Sequence, residues 1–143
     1  MRLLLAVLFL NLLPPLCSGL FGFIGRTQSV AVSGRLQCNG EPAKHVKVKL
    51  YDKEVLFDSK LAEGRTDASG YFRIGGHKKE ISQIDPKLNI YHKCNYKGLC
   101  YKKVTFEIPS KFITRGKTPE KTFDIGTINL ATKFKGESTD CIN

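Results

Sequence analysis

The stretch that decides the fold is Val30-Ala31-Val32-Ser33-Gly34-Arg35-Leu36-Gln37-Cys38. Val30, Val32, Leu36 and Cys38 are apolar and fall on alternate positions, with more polar residues between them. A period of two is typical of a β-strand that turns one face to a core. The cluster 39–42, Asn-Gly-Glu-Pro, follows at once and predicts a turn.

The same pattern continues along the chain, which favours strands over helices. We predict further strands around 46–51, 61–66, 72–74, 88–94, 101–108 and 122–130. Gly126 predicts a bulge in the last strand, and Gly75-Gly76-His77 predicts an irregular stretch that Asp85-Pro86 closes. About seven short strands joined by Gly, Pro and Asp turns predict an all-β, antiparallel β-sandwich.

The predicted second strand places Val46, Val48 and Leu50 on one face and Lys47, Lys49 and Tyr51 on the other. Because lysines occupy that outer face, we expect it to be exposed to solvent.

The N-terminal segment has the pattern of a secretory signal peptide. Arg2 precedes an apolar run that ends at Pro14-Pro15, and the small residues Cys17, Ser18 and Gly19 follow. We therefore predict a signal peptide over 1–19 and one domain over 20–143. The apolar run is too short for an integral membrane anchor, so the expected location is secreted and extracellular.

Composition narrows the class of partner. The chain carries 23 Lys and Arg against 13 Asp and Glu, a formal charge of +10. This charge favours an anionic partner, either a lipid or glycan surface or an acidic extracellular protein receptor. A secreted protein does not meet nucleic acid, so we expect no nucleic-acid partner. The oligomeric state stays open.

Removal of the signal peptide leaves four cysteines, an even number that predicts two disulfides in an oxidising compartment. They are Cys38, Cys94, Cys100 and Cys141. Three pairings are possible, and their spacing does not choose among them.

Several motifs in order resemble the nematode transthyretin-like family. They are Val32-Ser33-Gly34-Arg35-Leu36-x-Cys38, Val46-x-Val48-x-Leu50-Tyr51-Asp52, Thr66-Asp67-x-x-Gly70-x-Phe72, Gly75-Gly76, Ile84-Asp85-Pro86, Ile90-x-His92-x-Cys94 and Phe123-Asp124-Ile125-Gly126-x-Ile128-Asn129-Leu130. The resemblance covers essentially all of 20–143. It implies a secreted, disulfide-bonded, transthyretin- or prealbumin-like β-sandwich.

The resemblance also implies a preferred disulfide pairing. In a transthyretin-like sandwich Cys38 and Cys94 come to the same end, which favours Cys38–Cys94 and leaves Cys100–Cys141 to hold the tail. The alternative is Cys94–Cys100 as a local clasp with Cys38–Cys141 joining the termini.

We expect no catalytic, metal or cofactor site. Serines and aspartates lie in turns rather than in a recognisable nucleophile motif. His92-x-Cys94-x5-Cys100 has the residue types of a zinc half-site, but oxidised cysteines do not ligate. Hydroxyisourate hydrolases of this fold end in Tyr-Arg-Gly-Ser, whereas Asp140-Cys141-Ile142-Asn143 stands here. The protein is therefore expected not to be an enzyme, with a hydroxyisourate-type hydrolase as the remote alternative.

The remaining candidate site is a set of basic residues and a tyrosine near the predicted loops. Its members are Lys78, Lys79, Lys93, Lys97, Lys102, Lys103 and Tyr96. Basic loops at the end of a sandwich are suited to an anionic surface, so we expect a secreted binding or bridging module. The alternative function is a carrier of a small hydrophobic ligand, in a cavity or at a dimer interface.

Overall fold

The computed structural model describes residues 25–143 and shows two packed β-sheets. The predicted signal peptide, 1–19, lies outside the described residues. The strands are β1 (Arg26–Cys38), β2 (Glu41–Pro42), β3 (Lys47–Asp52), β4 (Ser59–Arg65), β5 (Tyr71–Glu80), β6 (Pro86–His92), β7 (Tyr101–Glu107), β8 (Thr114–Arg115), β9 (Phe123–Asn129) and β10 (Ser138–Asp140). A 3₁₀ turn covers Ser110–Phe112. The all-β, disulfide-bonded sandwich is confirmed.

The first sheet is organised around β1, the 13-residue strand that contains the alternating stretch 30–38. β5 pairs antiparallel with β1 from Arg26↔Glu80 to Arg35↔Tyr71. β2 pairs with the end of β1, and the turn between them places Asn39 and Gly40 at positive φ, 54° and 83°. β8 and β9 also pair with β1, and β9 runs parallel to it.

The second sheet has the order β10-β7-β6-β3-β4, and every neighbouring pair in it is antiparallel. Its inner face meets that of the first sheet in a core that is closed to water. The fully buried side chains include Val30, Val32, Leu36, Val48, Leu50, Leu88 and Ile90. These are the alternating apolar positions of the sequence, and their burial is the main force that holds the two sheets together.

The predicted start of the irregular stretch at Gly75 is wrong, because β5 continues through Gly75 and Gly76 to Glu80. The irregular stretch covers 81–85 and ends where Pro86 begins β6, as predicted. A Cβ at Gly76 would overlap the carbonyl group of Leu61 on β4. The glycine therefore lets strands of the two sheets approach closely, and it does not break the strand.

The predicted exposure of the outer face of β3 is also wrong for Lys49, which is only 8% exposed. Its Nζ lies 5.2 Å from the ring centroid of Tyr91 on β6 and 3.9 Å from Oε1 of Glu63 on β4. Tyr91 is buried as well, and this burial raises the pKa of its phenol to about 12. Neighbouring strands thus cover the lysine stem along its length.

Two disulfides join Cys38 to Cys94 and Cys100 to Cys141, the pairing that the family resemblance favours. Cys38 ends β1 and Cys94 follows β6, so the first bridge connects the two sheets. The second joins the residue before β7 to the residue after β10 and so secures the C-terminal strand.

Candidate functional site

The structure divides the predicted basic set between the two ends of the sandwich. Lys78 and Lys79 lie near the end of β5, on the side where β6 begins. Lys93 and Lys97 follow β6, at the opposite end. The sequence-predicted residues therefore do not form one surface.

Lys78 forms ion pairs with three acidic side chains. Its Nζ donates to Asp52 Oδ2 at 3.3 Å, to Glu80 Oε1 at 3.0 Å and to Glu54. Hydrogen bonding to Glu54 is the main cause that raises the pKa of Lys78, and the same contact lowers the pKa of Glu54. The three carboxylates lie within 4.8 Å of one another, and the single positive charge of Lys78 offsets part of their negative charge. Lys78 is thus a poor candidate for contact with an external anion.

Lys102 and Lys103 follow Tyr101 at the start of β7. As neighbours on a strand they point to opposite faces. Lys102 pairs with Glu137 at 3.1 Å and lies over the ring of Tyr96, 5.5 Å from its centroid. Lys103 is 3.9 Å from Asp140. Both charges are therefore partly balanced by the C-terminal segment.

Other cations reach the end where Lys93 and Lys97 lie, and sequence reasoning missed them. Lys44 belongs to the turn before β3, Lys47 begins β3, and Arg65 ends β4. The register places Lys47 opposite both Arg65 and Tyr91. We call the set Lys44, Lys47, Arg65, Lys93 and Lys97 the basic end. Within residues 25–143 none of its members makes a salt bridge.

A buried threonine fixes the turn that carries Lys44. Thr66 is 2% exposed; its hydroxyl donates to Ala43 O at 2.6 Å and accepts from the Val46 N–H at 2.8 Å. The Thr66 carbonyl accepts from the His45 N–H at 3.0 Å. These bonds hold His45 at φ 57°, a region that few non-glycine residues adopt.

A cavity of about 200 Å³ opens at the basic end. Its lining residues are Lys44, His45, Val46, Lys47, Arg65, Tyr91, His92, Lys93, Tyr101 and Asn143. Lys93 is stacked over Tyr101, with its Nζ 4.8 Å from the ring centroid. Lys47 Nζ donates to Asn143 O at 3.3 Å and to Asn143 Oδ1 at 3.1 Å. The cavity therefore presents cationic donors to any group that enters it.

A larger cavity, of about 410 Å³, lies near the start of β1. Arg26, Gln28 and Arg115 contribute to its lining together with Ile81 and Ile113. Gln28 already bonds the Ser82 carbonyl and the Ile84 N–H, at 2.8 and 2.9 Å. This mixed lining offers no particular support to a carrier of a hydrophobic ligand.

Comparison with known proteins shows which family this chain is similar to. A family model described as "Transthyretin-like family" (TTR-52) matches residues 33–109. The chain is 47% identical over 127 residues to transthyretin-like protein 5 of Caenorhabditis elegans, covering 86% of this chain and 91% of that protein. It is 48% identical over 121 residues to transthyretin-like protein 33 of the same organism, covering 82% and 84%.

Likeness to solved structures is weaker. A 9R-lipoxygenase from Cyanothece matches with a TM-score of 0.41 and 17% identity, over 71% of this chain and 16% of that one. A likeness this distant carries no argument about function.

Proposed function

Because the chain belongs to the transthyretin-like family, we propose, from its own surface, that it is a secreted binding or bridging module that engages an anionic surface or receptor. Export is supported by the signal-peptide pattern of 1–19 and by the two disulfides, which persist in oxidising compartments. Within residues 25–143 no helix is long and apolar enough to span a membrane.

The observation that carries the proposal is the unbalanced charge of the basic end. Acidic side chains lie beside three of the other candidate lysines, Lys78, Lys102 and Lys103. Among the described residues neither Lys79, at the opposite end, nor any member of the basic end makes a salt bridge, and the basic end brings five such cations together. An exposed cation near an anionic surface contributes about 1 kcal/mol. Several exposed cations at one end of the molecule can contact the same anionic surface together, whereas lysines scattered over the molecule cannot.

The test compares charge reversal at the basic end with the same reversal elsewhere. Lys93→Glu with Lys97→Glu removes two cations from the basic end, and Lys117→Glu with Lys121→Glu is the matched control between β8 and β9. Proteins collected from the medium of expressing cells are titrated onto an immobilised sulfated glycan and onto vesicles of anionic phospholipid.

We expect the first double variant to weaken binding to one of these surfaces about tenfold or more, with little change in the control. Binding of the unaltered protein should also fall between about 0.05 M and 0.5 M salt, because salt screens exposed charges. Equal binding at both salt concentrations, or equal loss in the two double variants, would remove the electrostatic argument.

A further inference from the structure

We propose that the cavity at the basic end is a binding site for phosphate, either as the free dianion or as a monoester. The proposal rests on the proposed function for its biological meaning, since the cavity opens among the residues of the basic end. It is chemically distinct from the proposed function, because it concerns the binding of one small anion and not of an extended charged surface.

The charge of the lining selects an anion. Four cationic residues, Lys44, Lys47, Arg65 and Lys93, are among the residues that line one small cavity, and no Asp or Glu is among them. Like charges that lie near one another repel, and an anion that enters the cavity reduces this repulsion. A dianion balances more of that charge than chloride or a single carboxylate does.

The ammonium group of Lys47 is placed to donate hydrogen bonds to oxygen atoms in the cavity. Lys47 Nζ already holds two oxygen atoms of Asn143, at 3.3 and 3.1 Å. An ammonium group has three donors, so Lys47 keeps one for a ligand, or more where the ligand displaces Asn143. The side chain is half-buried, and a charge-assisted bond to it is therefore stronger than one to a fully exposed lysine.

The turn at the rim is held in place before any ligand arrives. His45 lies at φ 57°, and Arg65 Nη1 donates to its carbonyl at 3.0 Å. Backbone held in a sparsely populated region concentrates at ligand sites. The bond from Arg65 also fixes the position of one cation relative to the turn that carries Lys44.

The size of the cavity suits a small ligand. A volume of about 200 Å³ lies below the range of about 300–1,000 Å³ for sites that enclose drug-sized molecules. One phosphate group with a short substituent is the scale of ligand that fits. The stacked pair Lys93 and Tyr101 forms a wall against which that substituent can pack.

The experiment measures phosphate binding directly. Inorganic phosphate and, separately, phenyl phosphate are titrated by calorimetry into the secreted protein at about pH 7.5, where a phosphate group is mainly dianionic. Ionic strength is held constant with sodium chloride. Lys47→Met and Lys44→Met remove cavity cations, and Lys117→Met removes the same charge elsewhere. Lys44 is exposed, so its variant keeps the test valid even where Lys47→Met impairs folding.

We expect one saturable site with a Kd of about 1 mM or tighter. Lys47→Met should weaken it about tenfold, Lys44→Met should weaken it measurably, and Lys117→Met should leave it unchanged. Tighter binding of phenyl phosphate than of inorganic phosphate would identify the monoester as the ligand form, and the reverse would identify the free anion.

Heat that does not saturate, or an equal effect of Lys117→Met, would overturn the proposal. The two proposals fail separately. Loss of surface binding in the Lys93 and Lys97 double variant without any phosphate site would leave the proposed function standing and remove only the cavity inference.

Discussion

His92 is a buried histidine whose surroundings keep it neutral. It is 3% exposed, and its Nδ1 accepts the Cys94 N–H at 3.0 Å. The neutral ring therefore carries its proton on Nε2, which is buried without a hydrogen-bond partner among the described residues. Burial is the main cause that lowers the pKa of His92; nearby Glu137 raises it and Lys102 lowers it.

This lowered pKa predicts a loss of stability in mild acid. The unfolded chain binds a proton at His92 near the ordinary pKa of about 6.5, and the folded chain does so only at lower pH. The free energy of unfolding should thus be full above about pH 6.5 and should fall as the pH drops toward the folded pKa. Urea unfolding between about pH 5 and pH 7.5 measures the slope.

The matched variant for this prediction is His92→Asn, whose side-chain oxygen can still accept the Cys94 N–H. It should be less stable at neutral pH but should show a smaller slope over the same range. His45 and His77 are present in both proteins, so the difference between the slopes isolates His92. Identical slopes would contradict the assignment.

At the scale of the strand, Gly76 is required by the approach of β4 to β5. A Cβ at Gly76 would overlap the Leu61 carbonyl, and the backbone of β4 cannot move aside as a side chain can. Gly76→Ala should therefore cost about 1–3 kcal/mol of unfolding free energy. Thermal or urea unfolding measures this loss.

Gly75→Ala is the control for that substitution. At Gly75 the nearest atom to an added Cβ is the Ala31 Cβ at 3.3 Å, a contact that a small adjustment relieves. Alanine also restricts the unfolded chain, so the two effects should nearly cancel. If the two variants lose the same free energy of unfolding, the need for glycine at position 76 would come from the general effect of replacing glycine in a strand, and not from the close approach of Leu61.

Local signals were sufficient for most of the strands and turns. Asn39-Gly40 predicted a turn that the structure contains. Another turn follows Thr66, in which Asp67 Oδ1 accepts the N–H groups of Ser69 and Tyr71 at 2.9 and 3.0 Å. Gly75-Gly76 misled the same reasoning. A glycine pair can end a strand, or it can let another strand pack closely against it. Here the second holds because β4 lies against Gly76, and the residues around Gly76 in the sequence carry no sign of β4.

The candidate site was less predictable for the same reason. Lys93 and Lys97 are close in sequence, and both lie at the basic end. Lys47 and Arg65 join them only through the registers of β3 with β6 and β4. Lys78 shows the converse, because its carboxylate neighbours Asp52 and Glu54 come from another strand and its following loop.

For the molecule as a whole, the two disulfides have different structural effects. Cys38–Cys94 joins the two sheets, whereas Cys100–Cys141 joins strands within the second sheet. The double variant Cys100→Ser with Cys141→Ser should lower the unfolding free energy by about 2–4 kcal/mol. It should release β10 from β7 and leave β1 in place.

Hydrogen exchange tests this difference by region. Amide protection should fall at 138–140 in the variant and should persist along β1, where β5 supplies the pairing. The double variant Cys38→Ser with Cys94→Ser is the comparison, and its loss of protection should extend to the end of β1. Unchanged protection at 138–140 would show that the bridge does not hold the tail.

The loop between the two bridges begins after Cys94 and ends before Cys100, so its two flanking residues are each covalently fixed to a different part of the sandwich. Asn95 is further held by reciprocal amide bonds to Asn39, at 2.7 and 3.1 Å. A loop restrained in this way has already given up conformational entropy during folding, and a partner that contacts Tyr96 or Lys97 does not have to supply that free energy again on binding. If the protein binds its partner as proposed, oxidation preorganises the proposed binding surface as well as stabilising the sandwich. A reducing environment should then weaken that binding through the looser loop, even where the core remains folded.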